Sequence, residues 1–209
     1  MEIKVEERLQ SFKEELLCNK PEYVLRKNII FGDSYWLEST LYYELKQEIA
    51  NNFNLHPSCV FMVGSGKLGF SLSEKPIVDK ETKEIIETKP RFRSFSDESD
   101  LDIAIVSPSL FNDYWRQVFA YSQQKPYWPK EKPFKKNMFE GWMRPDQLPP
   151  SRGKFQIQKN WFEYFSELTA SGKYGDFTIA AGLYNDWEFL EYYQLKSINE
   201  CKTSLELEE

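Results

Sequence analysis

The sequence predicts an α/β (α+β) fold, a small mixed β-sheet flanked by helices, and three observations carry that expectation. Short apolar runs at Cys59–Val63, Leu101–Val106 and Phe177–Leu183 have the length and branching of buried strands. Longer stretches repeat apolar residues every three to four positions, the period of a helix lying on a core. The two kinds of segment also alternate along the chain, which favours helices packed on a sheet over an all-helical bundle.

Taken in order, residues 3–18 place Val5, Leu9, Phe12, Leu16 and Leu17 on one helical face, and Pro21 is expected to stop that helix. A second helix is expected from Ser34 to Asn52, with Leu37, Leu41, Leu45 and Ile49 at spacing four and Asp33 or Ser34 as its cap. The strand at 59–63 ends abruptly at Gly64-Ser65-Gly66. Residues 73–96 are polar, hold Pro76 and Pro90, and read as a hairpin insertion whose strands contain Ile77-Val78 and Ile85-Ile86 around a charged turn at Asp79–Lys83. After the strand at 101–106, Pro108 precedes a helix expected over Leu110–Gln124. Six of the chain's eleven prolines lie in 125–154, which is read as irregular. Helical spacing returns over Ile157–Ala170, then the third strand, then a last helix from Asp186 to about Leu205. We expect a single domain over 1–209, made of N-terminal helices (1–54), the hairpin insertion (73–96) and the Pro-rich basic segment (123–154).

Composition narrows the function classes. The chain has 209 residues, 41% hydrophobic and 29% charged, which is ordinary globular usage rather than that of a disordered chain. Three dispersed cysteines (Cys18, Cys59, Cys201) make neither a disulfide framework nor a CxxC zinc site. The single histidine, His56, sits beside Pro57 and argues against a zinc hydrolase or a Ser-His-Asp triad. No apolar stretch approaches a membrane span, and the charged N-terminal segment lacks a signal-peptide core, so a cytoplasmic protein is expected. The net charge of −6 argues against a generic nucleic-acid coat.

Two segments carry chemistry. In Val63-Gly64-Ser65-Gly66-Lys67, a strand runs into a Gly-Ser turn whose N–H groups and hydroxyl suit a phosphate. In Ser99-Asp100-Leu101-Asp102-Ile103, two carboxylates stand at i and i+2 where a strand begins, so the period of two puts both on one face. Paired carboxylates repel unless a cation lies between them, which suits Mg²⁺ (or Mn²⁺). Phosphate cradle and metal carboxylates together are the equipment of phosphoryl or nucleotidyl transfer.

The string strand, Gly-Ser, helix, Asp-x-Asp, strand resembles the nucleotidyltransferase superfamily of the DNA polymerase beta type, over roughly residues 58–107. That superfamily includes minimal nucleotidyltransferases of toxin–antitoxin pairs and nucleotide synthases of bacterial antiphage systems. The resemblance implies that Gly64 and Ser65 hold the triphosphate of an NTP, ATP by preference, and that Asp100 and Asp102 bind the divalent ions. It also implies a third carboxylate on a later strand, for which Asp176 is the nearest candidate; Asp186 is read as a helix cap. Ser65 and Asp100 are 35 positions apart, a long gap that the hairpin insertion fills; Phe92-Arg93-Ser94-Phe95 would then line the nucleotide pocket. Lys67 is read as a phosphate contact or an exposed helix lysine, and Trp115, Phe119, Trp161 and Phe165 as core.

Segment 123–154 holds eight basic and three acidic residues, a net +5, which leaves −11 for the rest of the chain. Tyr127, Trp128, Phe134, Phe139 and Trp142 are interleaved with those charges. This composition suits an RNA or protein acceptor, or equally a lid or a docking loop for a partner subunit. The expected function is therefore Mg-dependent transfer of NMP from an NTP to an acceptor hydroxyl on RNA, protein or a nucleotide. The alternatives are a degenerate module of the same fold that binds nucleotide or a partner without chemistry, and a plain interaction protein.

Overall fold

A computed structural model describes residues 2–79, 81–82, 84–125, 127–144, 147–148 and 156–208. Pro126, Pro145, Asp146, Pro149, Pro150, Arg152 and Lys154 of the basic segment, and Lys80 and Lys83 of the hairpin turn, lie outside the described residues. The elements in order are α1 (Glu2–Cys18), α2 (Pro21–Leu25) continued by a π-helical turn (Arg26–Ile30), α3 (Ser39–Asn52), β1 (Val60–Val63), α4 (Gly64–Leu68), β2 (Lys75–Val78) and β3 (Ile85–Lys89). They continue with β4 (Leu101–Val106), α5 (Pro108–Ser122), α6 (Glu131–Phe139), β5 (Trp142–Met143), α7 (Gln156–Ala170), β6 (Ile179–Tyr184) and α8 (Trp187–Glu208).

The chain is thus mixed α+β, built on a four-stranded sheet of order β1-β4-β6-β5 and a separate β2-β3 hairpin. β4 runs antiparallel to β1 and parallel to β6, while β5 pairs antiparallel with the end of β6. Because strand side chains alternate, each strand feeds two cores. Met62, Leu101, Ile103, Ile105 and Leu183 pack against Leu45 and Ile49 of α3, Phe111 and Val118 of α5, and Trp161 and Phe165 of α7. Phe61, Val63, Ala104, Val106 and Tyr184 pack against Phe12 and Leu16 of α1, Val24 and Leu25 of α2, and Leu190, Ile198 and Cys201 of α8. Asp102 belongs by alternation to this second face.

The insertion is a hairpin as expected, with Lys75 opposite Lys89 and Pro76 opposite Thr88. Asp79 organises its turn by accepting from the Glu81 and Thr82 amides at 2.8 and 2.7 Å. Its two ends meet: Ser71 N–H donates to the Arg93 carbonyl and Phe95 N–H to that of Gly69, both at 2.8 Å. This pairing brings β4 back beside β1.

Several expectations need correction. α1 ends at Cys18, ahead of Pro21 as expected, but Pro21 also opens a further short helix, occupying the first position of α2, where a missing N–H costs nothing. The third helix begins at Ser39, not Ser34, because the amides of Tyr35 and Trp36 are drawn to the Lys67 and Gly66 carbonyls at 2.9 and 3.1 Å. Glu38 caps it instead, accepting from the Leu41 amide. The Pro-rich segment is not wholly irregular: α6 crosses Pro133, which stands in its first turn, where the ring displaces no intrahelical bond. Trp161 and Phe165 are core, but Trp115 and Phe119 are 51% and 60% exposed, since α5 buries the Phe111, Tyr114 and Val118 stripe beside them.

An acidic cavity at the head of the central strands

The path from β1 into α4 places the Gly-Ser turn. Val63 lies opposite Asp102 in the β1–β4 register, so Gly64 follows directly beside that carboxylate. Gly64 has φ +66°, and a Cβ built on it would stand 2.9 Å from Asp102 Oδ2. Glycine is therefore required twice, by the left-handed backbone and by the close approach. Gly64, Ser65, Asp100 and Asp102 line one cavity of about 780 Å³, within the range of ligand pockets. The sequence motif is thus brought together in space.

The electrostatics of the cavity centre on Asp102. Solvent reaches its carboxylate through the cavity, yet the surrounding walls strip away much of its hydration. That desolvation, and then the neighbouring charge of Asp100, raise its pKa to about 6. Arg144 and Lys75 pull the other way. Arg144 follows β5 and enters the lining with Trp142, Tyr184 and Tyr193. These aromatic rings form a cluster, Trp142 stacked on Tyr184 at 5.8 Å and tilted against Tyr193 at 4.8 Å. Burial first, with Asp102 among the further causes, pushes both tyrosine hydroxyls up, so they stay protonated as donors. α7 also lines the cavity, through Phe162, Ser166 and Thr169.

The remaining residues of the sequence motif lie elsewhere. Lys67 is neither at the cavity nor exposed: it is 1% accessible, its Nζ donates to the Gly32 carbonyl, and it sits 5.0 Å from the Tyr42 ring. Burial, then Lys46, lower its pKa to about 8. Lys67 lies two residues beyond Ser65, about 200° around the short α4, which turns its side chain to the opposite side. Arg93 ties the hairpin base, donating to the Ser73 and Lys89 carbonyls and Ser71 Oγ at 3.1 Å each, and to the Pro90 carbonyl. Phe92 and Phe95 pack on Phe70 and on Trp36 with Phe177, so the 92–95 stretch is a brace rather than a cavity wall. Asp176 is exposed before β6 and lies outside the cavity lining. The residue beside Asp102 on β6 is Ala180, which does line it. Asp186 accepts from the Glu188 amide at 3.3 Å and starts α8 as a cap.

Among the described residues, no group of three or more His, Cys, Asp or Glu converges, so the Asp100–Asp102 pair stands by itself. Arg144, Lys75, Tyr184 and Tyr193 had no motif to mark them. The local charge excess pointed to the neighbourhood of Arg144, and Tyr193, with Tyr192 on the last helix, reads from the sequence as packing by default or as a support for adenine in a pocket. Comparisons with protein-family models, curated proteins and solved structures find no match to the chain.

Proposed function

We propose that the protein is a nucleotidyltransferase that takes an NTP with a divalent cation in this cavity and passes NMP to an acceptor hydroxyl. The observation that carries the reading is the close approach of Gly64 to Asp102, with the Gly-Ser turn and the carboxylate pair in one cavity lining. Asp100 and Asp102 suit Mg²⁺ or Mn²⁺: two carboxylates line the same cavity, and desolvation first, then the charge of Asp100, raise the Asp102 pKa to about 6. Mg²⁺ commonly takes one or two carboxylates and completes its shell with phosphate and water. A bound divalent ion would supply charge neutralisation for the triphosphate and for the attacking and leaving oxygens.

The chain's own groups then have definite tasks. Ser65 Oγ and the turn amides donate to phosphate oxygens. Arg144, in the same lining, offers a cationic contact suited to the leaving pyrophosphate. Tyr193, on the same wall, offers a ring face and a donor to the base or sugar. Incubation with each NTP and Mg²⁺, scored for pyrophosphate, tests the reading. Turnover should fall at least about a hundredfold in Asp100→Ala and in Asp102→Ala. Unchanged turnover in both variants removes the assignment.

One observation favours a second reading, a module that binds nucleotide without chemistry. Ala180 stands beside Asp102 where a further carboxylate would take the acceptor proton, and Asp176 is outside the cavity. Calorimetric binding of Mg·NTP without pyrophosphate release from any NTP would select this reading over the first.

A further inference from the structure

We infer that the outer face of α6 is a docking strip for single-stranded nucleic acid, leading an acceptor end towards the cavity. The acceptor half of the inference rests on the nucleotidyl-transfer reading; the binding half does not.

The strip has a firm back and an unusual front. Phe134 and Asn137 face inward: the Phe134 ring lies 5.0 Å from that of Trp128, and Asn137 Nδ2 donates to Gln147 Oε1 at 2.9 Å. Trp128 Nε1 donates to the Gln147 carbonyl at 2.7 Å and fixes the approach to the helix. Outward stand Lys132, Lys135 and Lys136, all exposed. Lys135 pairs with Glu131 one turn earlier, whereas Lys132 and Lys136 have no ion-pair partner among the described residues. Two aromatic rings flank these lysines in the sequence, Tyr127 at 80% and Phe139 at 92% exposure.

Charge selects the partner. Residues 123–144 hold six basic and two acidic side chains, a net +4, against −10 for the remainder of a chain whose total is −6. A polyanion is therefore drawn to this strip and repelled from most of the rest. Phe139 is followed in the chain by Gly141, by β5 and then by Arg144, which lines the cavity, so only a few residues separate the end of the strip from the cavity lining. Lysines answer phosphates; flat exposed rings answer unstacked bases, which a duplex conceals and an acidic polypeptide lacks.

Fluorescence anisotropy with a labelled oligouridine of roughly 12 nucleotides, long enough for one such site, tests the inference at low salt without nucleotide or divalent cation. The double variant K132E/K136E should bind about tenfold or more weakly, and its salt slope should be smaller by about 1.4, or about 0.7 per lost phosphate contact. Y127A/F139A should weaken binding about fivefold or more with the slope unchanged, because stacking releases no counterions. All four side chains are exposed, and urea midpoints equal to wild type would show that folding is unaffected. The inference is overturned if wild type does not bind, if neither variant weakens binding, or if a duplex or polyglutamate competes as well as the oligonucleotide. Binding with these dependencies but no labelled product from oligonucleotide and NTP would keep the strip and discard the acceptor role.

Discussion

Two charged side chains flank the Gly64–Lys67 turn, and the contrast between them separates a functional charge from a structural one. Asp102 loses hydration on one side of the turn, faces a cavity, and has Asp100 rather than a cation as its strongest charged neighbour. Lys67 loses hydration on the other side, but there it is sealed beneath Tyr42 and fastened to the Gly32 carbonyl. Both pKa values move toward neutrality for the same physical reason, the cost of holding a charge away from water. Access is what differs. A strained charge that opens onto a cavity can be relieved by a ligand, whereas one closed in by protein can only serve the fold.

Removing Lys67 should give the largest effect on stability. Lys67→Ala empties a buried volume and leaves the Gly32 carbonyl unsatisfied, and should cost about 2–4 kcal/mol in urea unfolding. Lys67→Met, which keeps the stem, should recover most of that loss. If Lys67→Ala instead left stability intact and impaired NTP binding alone, the contrast would break, and Lys67 would belong with the cavity.

Next comes the turn itself. Gly64→Ala sets a methyl group against Asp102 Oδ2 in a left-handed conformation and should destabilise by about 1–2 kcal/mol. It should also weaken Mg·NTP binding in calorimetry, because the carboxylate must move. An intact affinity would separate the turn from the carboxylate pair.

A third test uses pH. Asp102 is raised in the fold from 3.8 to about 6, so the folded state holds more protons than the unfolded state within that window, and stability falls as pH rises through it. Allowing for its access to solvent, the drop should be about 1 kcal/mol. Lys67 works in the opposite sense: lowered from 10.5 to about 8, it adds stability as pH climbs between those values. Urea midpoints should thus be depressed between about pH 6 and pH 8. The acid-side slope should vanish in Asp102→Asn and shrink when Mg²⁺ is added. Persistence of that slope in Asp102→Asn would assign it to another group.

The smallest effect is expected at Asp176. Exposed and outside the cavity, Asp176→Asn should change stability by no more than about 0.5 kcal/mol and leave pyrophosphate release unaltered. A large loss of turnover would place it in the chemistry after all.

Patterns of short range were legible before any coordinates. The strands at 60–63 and 101–106, the hairpin and the long helices all announce themselves through period, length and turn residues. So did the Gly64-Ser65 turn and the Asp100, Asp102 pair, each a local feature, while their meeting in one cavity follows from the β1–β4 register. Part of what sequence reasoning missed depended on neighbours distant in the chain. The start of α3 was set by carbonyls of Gly66 and Lys67, some 30 residues away. α6 formed across Pro133 because a proline in the first turn displaces no bond, a matter of one or two positions that composition does not resolve.

The sequence by itself determined most of the helices and strands, α6 and β5 excepted, and which carboxylates share a face, since backbone period and side-chain branching are properties of neighbouring residues. Only the tertiary structure decided which charges meet a cavity. The β4–β6 register placed Ala180 rather than a carboxylate beside Asp102, the short α4 turned Lys67 inward, and β5 delivered Arg144 to the cavity wall. Those outcomes depend on the register and packing of elements far apart in the chain, and hydration and charge at a point in space are summed over all of them.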